Sequence, residues 1–186
     1  MKKSFTTGNI ARICRVTINT VVKWFDSGEL KGYRIPSSRA RRVKRKDLLA
    51  FMKKHDFPMD RIAAEKFKIL IVDSDGKTYT SFLKTLSKDD RYLLENATSG
   101  FEAGLQTGDS APDMIFLNID LSDVDWRRVG ALLGKNKDTA DITLMAMSRK
   151  IRKKEAGELE KLGYAGALRK PRRPAALREL LGKYTP

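Results

Sequence analysis

Thr17-Ile18-Asn19-Thr20-Val21-Val22-Lys23-Trp24-Phe25-Asp26 decides how the first third of this chain folds. At 3.6 residues per turn, Ile18, Val21, Val22 and Phe25 share one face, and Asn19, Thr20 and Lys23 share the opposite one. Trp24 lies on the flank, where it suits packing. Thr17 is a good N-cap, because its hydroxyl accepts from an orphan backbone N–H. Gly28 is placed to end the run in the left-handed region. The pattern is a short amphipathic helix. It fits an ordinary surface helix. Its polar face, with two hydrogen-bonding side chains, a cation and no acid before Asp26, also suits a DNA groove.

Working outward, Ser4-Phe5-Thr6-Thr7 opens an earlier element in which Ile10, Ile13 and Cys14 recur at i, i+3 and i+4. That spacing predicts a short helix with one buried side, and Cys14 reads as a small buried hydrophobe. Arg15-Val16-Thr17 makes the turn, with Arg15 where a glycine would be easier. Two short helices joined by a tight turn form a helix-turn-helix. On the other side, Tyr33 and Ile35 alternate with Arg34 as in a strand, and Pro36-Ser37-Ser38 is turn chemistry. Residues 39–46 hold six cations in eight positions. The reading is a two-stranded hairpin with a basic tip. Leu48, Leu49, Phe51 and Met52 then form the apolar face of a closing helix near residues 46–55. His55 has no evident partner and reads as a surface residue.

These residues carry a resemblance. Ile10-Ala11-Arg12, Val16-Thr17, Thr20-Val21-Val22-Lys23-Trp24, Ser27-Gly28-Glu29-Leu30, Tyr33-Arg34, Arg41-Arg42-Val43 and Asp47-Leu48 resemble the excisionase/MerR-type winged helix-turn-helix over residues 5–55. The resemblance implies a second helix in the major groove and a wing on the neighbouring backbone or minor groove. It places Asn19, Thr20 and Lys23 against bases or nearby phosphates, with Thr17 beside them. An amide or hydroxyl suits base edges and Lys23 suits phosphate. Arg39, Arg41 and Arg42 become the wing contacts, flanked by Arg34 and Lys44. Arg15 in the turn and Lys46 at the closing helix depart from the usual pattern.

The chain as a whole sets limits. Its 186 residues carry a net charge of +15 and are 41% hydrophobic. Residues 1–66 hold 17 Lys/Arg against 6 Asp/Glu, and residues 67–186 hold 21 against 17. Most of the excess therefore lies in the first third, which points to a polyanion partner there, or to a solvated basic surface. The apolar runs are far shorter than the ~20 residues of a membrane span. Met1-Lys2-Lys3-Ser4 leads into polar residues without a signal peptide. One cysteine excludes an internal disulfide and a multi-cysteine zinc site. The expectation is a cytoplasmic protein with no membrane partner.

From residue 67 the pattern changes. Phe67-Lys68-Ile69-Leu70-Ile71-Val72 is a buried-strand run, closed by Asp73-Ser74-Asp75-Gly76. Further short apolar strands lie near residues 92–97, 114–117, 142–147 and 167–169. Helical stretches alternate with them. Five strand–helix units predict an α/β fold: a doubly wound, flavodoxin-like parallel sheet of five strands with helices on both faces. Sites in such sheets form at the carboxyl ends of the strands.

The strand ends carry a second resemblance. Ile69-Leu70-Ile71-Val72-Asp73, Pro112-Asp113-Met114-Ile115-Phe116-Leu117, Gly163-Tyr164-Ala165-Gly166-Ala167 and Leu168-Arg169-Lys170-Pro171 resemble a response-regulator receiver domain over residues 67–183. The resemblance implies an aspartate that accepts a phosphoryl group, an acidic pair that holds magnesium, and a hydroxyl and a lysine that contact the phosphoryl. Only Asp73 and Lys170 match. Asn118 stands at the acceptor, Ser74 at the second acid and Ala146 at the hydroxyl position. An amide accepts no phosphoryl group, and a lost carboxylate weakens a hard-cation site. The expectation is a pseudo-receiver with Lys170 paired to Asp73 or Asp120. Asp75 and Asp120 leave a different cation site open as a variant. The resemblance also allows a cis Lys170–Pro171 bond.

Together these readings give residues 1–56 as a winged helix-turn-helix, 57–66 as a linker and 67–186 as the receiver-like domain. The function expected is a transcriptional regulator that binds double-stranded DNA and forms a homodimer. Its pseudo-receiver would serve in dimerisation or in docking a regulatory protein. In the receiver family, the surface around helix 149–161 often pairs two protomers. No nucleophile–base pair or metal cluster is visible, so no enzyme, catalytic residue, metal or cofactor is expected. Two rival readings stand beside this one: an excisionase-like architectural factor that bends DNA, and a phosphorylation switch using an acceptor such as Asp120.

Overall fold

The computed structural model describes residues 4–35, 40–63, 66–136, 138–170 and 174–184. Helix α1 (Thr7–Cys14) is capped by Thr6 and ends on Arg15 at φ 56°, the left-handed position. The Arg15 backbone turns the chain into α2 (Ile18–Asp26). Thr17 caps α2 by accepting from the Thr20 N–H, and Gly28 follows it at φ 79°. Strand β3 (Arg41–Lys44) is central to a small antiparallel sheet, with β1 (Ser4–Phe5) on one side and β2 (Tyr33–Arg34) on the other. The expected two-stranded hairpin thus gains a third strand from the amino-terminal segment. Gly32 lies so close to β3 that a Cβ there would fall 2.5 Å from the Arg42 carbonyl oxygen. Residues 36–39, with the expected tip turn and Arg39, lie outside the described residues.

Helix α3 (Arg45–Lys54) closes this unit. Phe5, Ile10, Ile13, Val21, Leu30, Val43, Leu48 and Met52 make its core. Cys14 is buried in it, and burial pushes the thiol up to about 11, away from reactivity. Trp24 packs on Phe51 at 4.9 Å and on Phe57 at 5.9 Å between ring centroids. His55, expected at the surface, is half-buried with its ring 4.4 Å from that of Phe51 and 3.3 Å from a Glu29 oxygen. The segment expected as a linker is packed instead. Helix α4 (Asp60–Ala63) inserts Ile62 into the same core. Arg45 donates to the Ile62 carbonyl at 3.1 Å and Arg61 to that of Ile13 at 3.4 Å.

The remaining strands, β4 (Phe67–Val72), β5 (Tyr92–Ala97), β6 (Met114–Asn118), β7 (Thr143–Ser148) and β8 (Gly166–Arg169), form one parallel sheet in the order β5-β4-β6-β7-β8. Alternation along each strand feeds two cores. Ile69, Ile71, Met145 and Met147 pack under α5 (Gly76–Leu86) and α9 (Pro174–Tyr184). Leu70, Val72, Leu144 and Ala146 pack on the opposite side, under α6 (Gly100–Ser110), α7 (Trp126–Lys135) and α8 (Lys153–Lys161). The chain reverses direction across the sheet at β4 and β6. In this topology that reversal opens a crevice at their carboxyl ends.

The two halves meet at the amino ends of the strands. Asp141, 3% exposed, accepts from the Thr7 hydroxyl at 2.5 Å, the Thr7 N–H at 3.4 Å and the Arg41 N–H at 2.6 Å. Arg42, 4% exposed, donates to the Asp141 carbonyl at 2.6 Å and to the Thr143 hydroxyl at 2.9 Å. Asn9 and Arg12 donate to the carbonyls of Ala111 and Ser110. The middle strand of the small sheet is thereby fastened to the start of β7.

Candidate functional site

The polar face of α2 stays open to solvent with both halves in contact. Asn19 and Lys23 are exposed and Thr20 is half-buried. The Thr17 and Thr20 hydroxyls lie 2.8 Å apart and share a hydrogen bond, so Thr20 is partly committed within the cap. Arg34 and Arg41 both reach back to Asp26 at the end of α2, each at 3.0 Å. The Arg41 hydrogen bond, against a small burial cost, and the charges of both guanidinium groups hold the Asp26 carboxyl below its ordinary range. That acid stitches the helix to the hairpin and orders two of its cations. Lys44 is exposed, with its ammonium 5.9 Å from the centre of the Tyr33 ring.

Arg42 requires a correction. It was expected on the DNA-facing wing, but it is buried between the two halves. Side chains alternate along a strand, so Arg41 and Arg42 cannot share a face of β3. Burial pushes the Arg42 guanidinium down, and Asp113 and Asp141 offset this. No local signal marks the pairing, since its partners lie about 100 positions away in the chain.

At the carboxyl ends of β4 and β6, Asp73, Ser74, Asp75, Asn118, Asp120, Arg149 and Lys170 line a cleft of about 490 Å³. Asp73 is 1% exposed and its carboxylate is fully engaged. One oxygen accepts from Asn118 Nδ2 at 2.9 Å, from the Asp75 N–H at 3.1 Å and from Lys170 Nζ at 3.2 Å. The other accepts from the Thr78 hydroxyl at 2.6 Å and lies 2.9 Å from Lys170 Nζ. Burial alone would raise this carboxyl, but the bonds from Thr78, Lys170 and Asp75 outweigh it and hold the group below its ordinary range. Lys170 thus pairs with Asp73 rather than Asp120. Pro171 lies outside the described residues. Ser74 is exposed.

Ala146 requires a second correction. It was expected at the hydroxyl position of this cleft, but it is fully buried in the core beneath α7 and α8. Strand β7 runs two residues further and ends on Ser148. The Ser148 hydroxyl donates to Asp120 at 3.0 Å, and the Arg149 N–H donates to the same carboxylate at 3.3 Å. Counting back from Lys170 reveals this, because Arg169 pairs with Ser148 in register. Among the described residues, no three His, Cys, Asp or Glu side chains converge as metal ligands would. No described helix is long and apolar enough to cross a membrane.

Residues 4–56 match the sequence model of a helix-turn-helix domain family. The amino-terminal third is a helix-turn-helix domain. Solved structures match most of the remainder. One is the signal receiver domain of a DNA binding response regulator protein (merR) from Colwellia psychrerythraea 34H, 20% identical, covering 63% of this chain and 97% of that one at a TM-score of 0.59. A response regulator from Thermotoga maritima is 18% identical, covering 64% of this chain and 98% of its own, at 0.58. The chemotaxis response regulator CheY4 of Vibrio cholerae is 20% identical, covering 64% and 99%, also at 0.58. A comparison with curated proteins gives no match. The helix-turn-helix domain is therefore followed by a domain with the receiver fold.

Proposed function

We propose that the protein is a cytoplasmic transcriptional regulator that binds double-stranded DNA through α2 and the wing. In this reading its receiver-fold domain works without aspartyl phosphate, in dimerisation or partner docking. The observation that carries the DNA-binding part is the open polar face of α2, with Asn19 and Lys23 exposed beside a basic hairpin. Asn19 is assigned to base edges and Lys23, Arg34 and Lys44 to phosphates. Arg41, held by Asp26, orients the wing. Arg42 takes no part in DNA contact.

The phosphate-independent part rests on the chemistry of the cleft. Position 118 offers an amide, whose nitrogen donates to Asp73 and whose oxygen accepts from the Asp120 N–H. Magnesium, which this fold implies, does not fit these residues. Asp73 already accepts from four groups, and Ser74 and Asn118 replace two carboxylates where the ion demands charged oxygen. Asp120 draws the Ser148 hydroxyl and the Arg149 N–H onto a carboxylate fixed in the chain. The cleft's donors thus already hold an anion.

The test is a DNA titration of wild type before and after treatment with a small-molecule phosphodonor, with intact mass measured in parallel. The reading expects duplex binding, no added phosphoryl mass and no change in affinity. A phosphoryl adduct in the cleft with a several-fold affinity shift would overturn the phosphate-independent part. Absence of duplex binding would overturn the DNA-binding part.

A further inference from the structure

The receiver-fold domain has a strongly polarised charge. Residues 149–154 and 169–170 comprise eight positions, of which seven are Lys or Arg and none is acidic. The rest of residues 67–186 holds 14 cations and 17 acids. The two segments follow neighbouring strands, since Ser148 pairs with Arg169 at the ends of β7 and β8. Arg169 Nε donates to the Arg149 carbonyl at 3.0 Å and ties them together. Arg149, Lys150, Arg152, Lys154 and Arg169 are all exposed. None of these five is in a salt bridge with a described residue. Lys170 is spent on Asp73.

Of the acids at this end of the sheet, Asp120 is exposed and touches the edge of the strip, accepting from the Ser148 hydroxyl and the Arg149 N–H, and most of the others lie on the side of β4 and β6. Asp73, Asp75, Asp120, Asp123 and Asp125 sit in the loops after β4 and β6. Glu155, on α8, is half-buried and accepts from the Arg152 N–H at 2.8 Å. Apart from Asp120 at its edge and Glu158 near Lys154, the strip over β7 and β8 is cationic. Among its described residues the one apolar side chain, Ile151, is half-buried. Protein interfaces are depleted in Lys and built around apolar cores, whereas phosphate backbones are held by Lys and Arg.

We propose that this strip is a second, sequence-independent site for the phosphate backbone of duplex DNA, so that one chain bridges two DNA segments. The proposal rests on the helix-turn-helix reading for the first segment. The geometry separates the two surfaces. The helix-turn-helix domain contacts the amino ends of the strands through Asp141, Thr143, Ser110 and Ala111, while the strip lies at their carboxyl ends. Strands of four to six residues put about 13–20 Å of sheet between them. A duplex on α2 and a duplex on the strip are held at opposite ends of the sheet.

The experiment uses the full chain, one duplex fixed to beads and a second, labelled duplex of unrelated sequence. Wild type is expected to retain the labelled duplex. Three phosphate contacts at about 0.9 each in the log–log salt slope make that retention roughly 40-fold weaker at 200 mM than at 50 mM salt. The triple variant Lys150→Gln, Arg152→Gln, Lys154→Gln is expected to hold the fixed duplex as wild type does and to lose the labelled one. Sedimentation of the variant at the wild-type size assigns that loss to the strip rather than to protomer pairing. Wild-type protein that holds one duplex and captures no second overturns the proposal and leaves the helix-turn-helix reading standing. A triple variant that bridges like wild type also overturns it. So does capture of an acidic protein in place of the second duplex. Protein that holds neither duplex overturns both readings.

Discussion

Asp141→Ala removes the group on which the two halves converge. The Thr7 hydroxyl and the Arg41 N–H both donate to it within 2.6 Å, at a site 3% exposed. Bonds to a charged acceptor contribute about 1.5–3 kcal/mol each, and the donors left behind lose water as well as partner. Two such bonds give an expected loss of about 3–6 kcal/mol. Trp24 reports the amino-terminal core and Trp126 the receiver-fold core, so a Trp126→Phe background isolates the first signal. With a urea m-value of about 2 kcal/mol per molar, the midpoint of the Trp24 transition should fall by about 1.5–3 M. Asp138→Ala, an exposed neighbour, should move it by less than about 0.3 M, as surface changes stay within about 0.5 kcal/mol. An Asp141→Ala shift no larger than that control would refute the contact as a fastening between the halves.

Other outcomes follow from the same structure. Asn19→Ala should change sequence preference by about 1–3 kcal/mol at one base position, whereas Lys23→Ala should weaken all duplexes and reduce the salt slope by about 0.9, both read by titration at several salt concentrations. Asp73 has a depressed folded pKa, so its stabilisation is present above the ordinary aspartate value near 4 and is lost as pH falls through the lower folded value. Urea midpoints between pH 6 and pH 3 should therefore fall more steeply for wild type than for Asp73→Asn. Ala146→Thr should cost about 1–3 kcal/mol by overpacking the core, and Ser148→Ala about 1 kcal/mol for its bond to Asp120, as thermal or urea unfolding would show.

Much of this was legible where the signal is local. The spacing of Ile18, Val21, Val22 and Phe25 marks α2, Arg15 and Gly28 mark left-handed positions, and Phe67–Val72 marks a buried strand. Asn118 and Lys170 were placed by the resemblance to receiver domains, whose motifs run through β6 and the end of β8. Ala146 was misplaced because Met145, Ala146 and Met147 form an apolar run whose end is ambiguous by two residues, and register with β8 settles it. Arg42 looked like every other cation in a basic run. Its burial depends on Asp141 and Thr143, which share no sequence pattern with it. Segment 57–63 lacked periodicity because Phe57 and Ile62 are single anchors rather than a stripe.

Those anchors, with Asp141, bear on where operators can lie. The helix-turn-helix domain is fastened to the start of β7 through Asp141 and Arg42, and its core holds Ile62 from the segment that leads into β4. Two chains paired through their receiver-fold domains would present their α2 helices at one separation and one rotation. Half-sites then fall in the same helical phase only at whole turns of DNA, about 10–10.5 base pairs. An operator lengthened by about five base pairs would turn its second half-site to the far side of the duplex and lose the paired complex, and ten would restore it. A loosely tethered domain would bind all three spacings alike.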